Sequence, residues 1–260
     1  MKVLVTGAGS GVGRATSLLL ASRGHEVIAT ARDLGRLEDL PVARRLRLDV
    51  SEASSLEAVR EDIGALDALV NNAAIAFDGP IELVDLEDVR KMFETNVFGP
   101  VRLIQAFVPA MRERRSGVVV NVSSVAGHVA QPLDGYYAAT KHALEAISEA
   151  LYVELAHFGV RVVIVEPGFI APSMKVHRRA EAPAYNELET QLGELVGKIQ
   201  AGARPGPEAV AGAIVDAIEN PAGPLRRRVG EDADLILSAR GTLGDEEFET
   251  AMRAVAGLTW

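Results

Sequence analysis

The segment Lys2-Val3-Leu4-Val5-Thr6-Gly7-Ala8-Gly9-Ser10-Gly11-Val12-Gly13 joins a short apolar run to four alternate glycines. The apolar run bounded by glycine suits a buried parallel strand. From Gly11 to Ser22 the chain reads as a helix, with Val12, Ala15, Leu18 and Leu19 on one side and Gly24 as its stop. Glycines between a strand and a helix permit a tight turn. They also let backbone N–H groups approach a pyrophosphate that the helix N-terminus then stabilises. The spacing is Thr-Gly-x-x-x-Gly-x-Gly rather than G-x-G-x-x-G, because Val12 holds the sixth position counted from Gly7. Gly7, Gly9, Ser10, Gly11, Val12 and Gly13 are therefore expected to bind a dinucleotide. The alternative is a tight strand–helix turn without a ligand.

Outward from this segment, strand and helix alternate. Apolar runs predict strands at 27–29, 46–50, 66–70, 117–122 and 160–165. Periodic runs predict helices at 53–63, capped by Ser51, at 86–114, bending at Gly99-Pro100 and near Pro109, and at 136–158. Such alternation implies an α/β fold, a doubly wound parallel sheet of Rossmann type with helices on both faces, and ligands beyond the carboxyl ends of the strands. After Pro172 the texture changes. Residues 173–203 hold no strand-like run, and Tyr185, Leu188, Leu192, Leu195, Val196 and Ile199 recur at helical spacing. Residues 173–204 are expected to form a substrate lid. A helix at 208–218, an edge strand at 226–229 and a helical end follow. Without repeats or linkers, residues 1–260 read as one domain.

The bulk numbers exclude other classes. The chain has 260 residues, 48% hydrophobic and 24% charged, as in an ordinary soluble globular protein. A net charge of −9 disfavours nucleic acid and anionic membrane as partners. Arg44-Arg45, Arg112 to Arg115 and Arg226 to Arg228 read as solvated ends of elements. The absence of cysteine excludes disulfides, thiolate catalysis and cysteine-based zinc sites, and the five histidines show no metal-ligand spacing, so no metal is expected. No leader-like or membrane-spanning apolar run occurs, which predicts a cytoplasmic protein.

The second strand bears on the choice of dinucleotide. It runs Val27-Ile28-Ala29-Thr30-Ala31-Arg32-Asp33. Ala31 stands where a ribose-binding acid is expected. Arg32 follows, and a guanidinium forks well onto a phosphate. NADP(H) is favoured over NAD(H); a one-residue shift would instead bring Asp33 to the ribose. Farther on, Tyr137 and Lys141 stand at i and i+4, on one face of a helix. A phenol titrates near ~10, and an adjacent ammonium favours the phenolate. Ser123-Ser124 lies just upstream.

Together these motifs resemble the short-chain dehydrogenase/reductase family over about residues 2 to 172. The glycine pattern matches its cofactor loop. Leu48-Asp49-Val50 matches the segment in which Asp49 contacts the adenine and Val50 lies beside it. Asn71-Asn72-Ala73-Ala74 resembles its Asn-Asn-Ala-Gly motif, with Asn72 facing the cofactor, and Asn96-Val97-Phe98-Gly99 its mid-helix asparagine motif. Pro167-Gly168-Phe169-Ile170 matches the loop at the nicotinamide end. Ser124 precedes Tyr137 by thirteen residues, the family's spacing, and is chosen over Ser123. The resemblance implies an oxidoreductase in which Ser124 steadies the substrate oxygen and Tyr137 moves the proton. Lys141 would lower the phenol pKa and hold the nicotinamide ribose, and Asn96 would hold a water on a proton path. It also implies a homodimer or homotetramer acting on a small carbonyl or alcohol. Two departures stand out: Ala74 replaces glycine, and Pro172-Ser173 stands where threonine is usual. The lid spacing suggests a bulky or lipophilic substrate, with His128, Gln131 and Leu133 as further pocket residues. The rivals are an NAD(H) enzyme using Asp33 and a dinucleotide-sensing regulator without turnover.

Overall fold

Alternation along the first strand sets the architecture. Val3 and Val5 face one apolar layer and Leu4 the other, all three fully buried. The computed structural model describes residues 1–171, 176–178, 182–202 and 204–260. In chain order it contains β1 (Lys2–Val5), α1 (Gly11–Ser22), β2 (Glu26–Ala31), β3 (Arg44–Arg47), α2 (Ala53–Ile63), β4 (Ala68–Asn71), β5 (Ala76–Asp78), α3 (Leu86–Phe93) and α4 (Gly99–Glu113). It continues with β6 (Gly117–Val122), α5 (Gly135–Ala156), β7 (Val160–Pro167), β8 (Val176–Arg178), α6 (Asn186–Ala201), α7 (Pro207–Glu219), β9 (Arg226–Val229), α8 (Glu231–Thr242) and α9 (Asp245–Ala256).

Seven strands form a parallel sheet in the order β3-β2-β1-β4-β6-β7-β9. The chain winds outward from β1 to β3, returns to β4 beside β1, and winds outward the other way. This reversal leaves a crevice at the carboxyl ends of β1 and β4. One face packs on Leu20 of α1 and on Val210, Ile214 and Ile218 of α7. The other packs on Leu56 and Val59 of α2, Leu103 and Phe107 of α4, and Leu151 of α5. Each such side chain contributes about 1.5–3 kcal/mol by leaving water.

The structure corrects four expectations. β3 ends at Arg47: Leu48 N still bonds Ala31 O at 3.0 Å, but Asp49 turns away and accepts from Ser51 N at 3.0 Å and Ser51 Oγ at 2.6 Å. The strand itself reads Arg-Arg-Leu-Arg, the charged texture of a sheet edge, which hides it from an apolar-run reading. Ser51 therefore caps Asp49, not α2, whose preceding residue is Glu52. The helix over 86–114 runs on unbroken but takes a π turn at Glu94–Phe98, just before Gly99, and Pro109 passes inside α4 without ending it. Pro100 follows directly on the π turn, and its missing N–H removes one intrahelical hydrogen bond at the junction with α4. Gly99 is required because a Cβ there would lie 2.8 Å from Val50 Cγ2. Finally, β8 falls within the stretch expected to lack strands and pairs in parallel with β5, Ala76 opposite Val176. Three-residue strands are too short to show a period.

Pro172 and Ser173 lie outside the described residues. The described part of the expected lid is β8, a 3-10 turn at Pro183–Tyr185, and α6.

Candidate active site

The glycine loop runs from the end of β1 into α1 at the crevice. Gly7 has φ +67°, and a Cβ there would stand 2.9 Å from Ala73 Cα. At Gly13 a Cβ would meet Gly7 O at 2.4 Å and Asn72 Nδ2 at 2.5 Å, so the loop folds tightly onto the segment after β4. Thr6 Oγ1 accepts from Asn72 N and Ala73 N, both at 3.0 Å, and Asn72 Nδ2 donates to Thr6 O at 2.9 Å. Through its amide nitrogen the Asn72 side chain is thus a strut for the loop that is expected to hold the cofactor. No side chain caps α1 at Ser10, and its first turn carries no acid. That is the environment an anionic phosphate favours at a helix N-terminus.

At the end of β2, Ala31 is buried and Arg32 is exposed, with no hydrogen bond or ion pair among the described residues. Asp33 Oδ1 accepts from Gly35 N at 3.0 Å and so caps the next turn. Arg36 was not foreseen. Its Cβ lies 3.0 Å from the Cβ position of Gly9, which puts a second exposed guanidinium beside the loop. A glycine loop free of side-chain bulk and an uncapped helix start fit a dinucleotide, with two exposed arginines beside the loop.

The third cluster lies at the carboxyl end of β6 and on α5. Ser124 and Tyr137 are half-buried, and Lys141 is 3% exposed. Lys141 Nζ donates to Val122 O at 2.8 Å and stands 5.6 Å from the centre of the Tyr137 ring. Burial lowers the lysine to about 8, against the opposing charge of Glu145. The phenol is raised, not lowered: burial is the main cause and the Asp134 charge the second, with the Ser124 hydroxyl pulling back the other way. Within the protein's own groups, then, burial and the Asp134 charge outweigh the Ser124 hydroxyl. Ser124 faces the phenol without a hydrogen bond of ordinary geometry, and its Oγ accepts from Ala126 N at 3.2 Å.

Asn96 sits in the π turn, with both hydrogens of its amide and one lone pair of its oxygen engaged. Oδ1 accepts from Ile75 N at 2.9 Å, while Nδ2 donates to Ile75 O at 2.8 Å and to Thr140 Oγ1 at 3.1 Å. It ties the segment after β4 to α5, one residue before Lys141. At the end of β7, Gly168 N bonds Val229 O at 2.9 Å, and Phe169 N bonds Asp232 Oδ2 at 2.7 Å. A Cβ on Gly168 would strike Asp232 Oδ2 at 2.4 Å, so Asp232 of α8 holds the Pro167–Ile170 loop. Ile170 packs on the apolar layer beneath. Val50 is buried under Gly99, and Asp49 is half-buried.

Of the extra pocket residues, Leu133 takes φ +67° and its carbonyl accepts from Gly79 N at 2.8 Å, joining the loop before α5 to the end of β5. His128 turns elsewhere, to Glu166 at 2.7 Å and Glu145 at 3.6 Å. Sequence spacing gave no sign of this group, since its members come from separate elements. Its donor atoms lie within 4.8 Å of one another, and the guanidinium of Arg226, 3.1 Å from Glu166 and 3.0 Å from Glu145, supplies the cation it needs.

Comparison with known proteins bears on the family and the fold. The family profile described as short chain dehydrogenase matches residues 1–183. A 3-ketodihydrosphingosine reductase of Bacteroides thetaiotaomicron is 33% identical, with 96% of each chain covered. The crystal structure of a short-chain dehydrogenase from Streptomyces avermitilis is 38% identical, with a TM-score of 0.83 and 97% of each chain covered. The closed form of serine dehydrogenase complexed with NADP+ is 28% identical, with a TM-score of 0.77 over 89% of this chain and 95% of that one. The chain belongs to the short-chain dehydrogenase/reductase family of oxidoreductases.

Proposed function

We propose that the protein transfers a hydride between NADP(H) and a carbonyl or secondary alcohol of bulky or lipophilic character. The observation that carries this reading is the meeting of Ser124, Tyr137 and Lys141 beside the glycine-loop crevice. When bound, the nicotinamide supplies or accepts the hydride. Tyr137 gives its proton to the substrate oxygen in reduction and takes one in oxidation. Ser124, which already faces the phenol, donates to the same oxygen and steadies its developing charge. Lys141, fixed by Val122 O, presents its positive charge toward the ring and holds the nicotinamide ribose. Asn96 holds the elements in register and keeps one lone pair of Oδ1 for a water on the proton path.

Arg32 and Arg36 support NADP(H), since both are exposed beside the phosphate loop while Asp33 is engaged in a cap. A lipophilic substrate is supported by the apolar surroundings of Tyr137, formed by Phe77, Val89 and Met92 with Ile75 and Phe93. The exposed Phe98, Tyr152 and Val153 around α4 and α5, the last 73% exposed, support a homodimer or homotetramer.

The test is a carbonyl and alcohol panel read at ~340 nm, the reduced nicotinamide band, with both cofactors. Tyr137→Phe is expected to lose about 10²–10⁴-fold in turnover, with NADPH binding retained. Arg32→Ala is expected to weaken NADPH far more than NADH. Turnover surviving in Tyr137→Phe removes the phenol from the reaction, and equal loss of both cofactors removes the phosphate assignment.

A further inference from the structure

Down one face of α5 stand Tyr137, Lys141 and Glu145, each four residues from the next, so their side chains leave the helix on the same side about one turn apart. The first two belong to the reaction proposed above, and Glu145 has no part in it. Yet Glu145 is only 4% exposed, and a carboxylate so deeply placed needs partners. It finds them away from the substrate. His128 Nε2 lies at 3.6 Å, and Arg226, from the edge strand β9, at 3.0 Å. Glu166 of β7 shares both, His128 at 2.7 Å and Arg226 at 3.1 Å. Arg226 also reaches Glu149 on α5 at 2.6 Å, and Arg228 approaches Glu166 at 4.0 Å. Ser123, the serine pointing away from Tyr137, turns its hydroxyl toward Glu145 without completing a hydrogen bond of ordinary geometry. On its far side His128 opens onto a cavity of about 510 Å³ that Glu166, Arg226 and Arg228 also line.

We propose that Glu145 is a positioning residue for the reaction: one helical turn from Lys141, it supplies the counter-charge that keeps the buried ammonium protonated, and His128, reached from the cavity, tunes that counter-charge. The inference rests on the Tyr137–Lys141 reading for its functional meaning. Among the described residues, Glu145 is the charged group that opposes the effect of burial on Lys141. Glu145 is itself held ionised: burial works to raise it, but the His128 hydrogen bond, Ser123 and the charge of Arg226 bring it below the ordinary carboxylate range. His128 is raised to about 9 by Glu145 and Glu166, so it is cationic at neutral pH and shields Glu145 from Lys141. The two outer residues therefore act on Lys141 with opposite sign.

Lysine 13Cε NMR of the cofactor-free protein tests this without turnover. The chain has five lysines, and the Lys141 signal is the one lost in Lys141→Arg. Glu145→Gln is expected to move the Lys141 midpoint down by about one pH unit, a tenfold loss of proton affinity. His128→Asn is expected to move it up, and it tests the coupling independently should Glu145→Gln fold poorly. In turnover, the alkaline limb of kcat/KM should follow in the same directions, with Glu145→Asp restoring part of the profile. An unchanged Lys141 midpoint in Glu145→Gln, or shifts of the same sign in both variants, overturns the proposal. A protein that titrates as described but turns over nothing in the panel overturns the hydride-transfer reading and leaves the charge coupling standing.

Discussion

Asp134, three residues before Tyr137, shows how a single side chain sets the chemistry of its neighbour. It precedes α5 without capping it, and burial together with the charge of Asp78 pushes its carboxyl up to about 7. Its negative charge in turn raises the phenol. An acid whose folded pKa is raised contributes stability at low pH, and that contribution is lost as pH climbs from the ordinary 3.8 through about 7. Asp134→Asn should therefore raise Tm at pH 8 while leaving it nearly unchanged at pH 4, and should move the tyrosine-dependent step to lower pH. Thermal scans at the two pH values together with a pH–rate profile check both. At this scale Tyr137 and Lys141 were legible in the sequence, because i, i+4 spacing is a property of one helix. The direction of the phenol's shift was not legible, since it depends on how much of the fold closes around the ring.

At the scale of elements, the glycines of the loop divide by reason. Gly11 has φ +52° and open space around it, so conformation alone demands glycine there. Gly13 is helical, and space demands it: its Cβ would press on Gly7 O at 2.4 Å and on Asn72. Gly13→Ala is expected to cost about 1–3 kcal/mol through overpacking. It should also weaken the dinucleotide, because the loop must lift off Asn72. Denaturant unfolding and cofactor titration of the same variant measure the two effects. The strand–loop–helix unit was readable because its spacing is contiguous. The π turn at Glu94–Phe98 was not, because the partners of the Asn96 amide within it, Ile75 and Thr140, lie 21 and 44 residues away.

At the scale of the whole molecule, the described part of the stretch expected to form a lid is tied down from two sides. Tyr185, in the turn before α6, donates to Glu82 at 2.9 Å and stacks on Trp260 at 5.9 Å. Gln191 of α6 donates to Thr259 Oγ1 at 2.8 Å and accepts from Thr259 N at 2.9 Å. Trp260→Ala should loosen α6, raising KM for bulky substrates several-fold while small substrates and Tm change little. Steady-state kinetics across a size series checks this, and a uniform loss across the series would deny the lid any part in selecting substrates.

Local patterns alone determined the β1–glycine loop–α1 unit, the alternation that dictates a parallel sheet, and the Tyr137–Lys141 pair, because each follows from spacing within one element or between neighbours. Tertiary structure alone decided where the charges meet. It brought His128, Glu145, Glu166 and Arg226 together from four separate segments, set Arg36 beside Gly9, and turned Asn72 into a strut. The physical reason is that electrostatics depend on burial and on through-space distance, and the closing of the whole chain sets both.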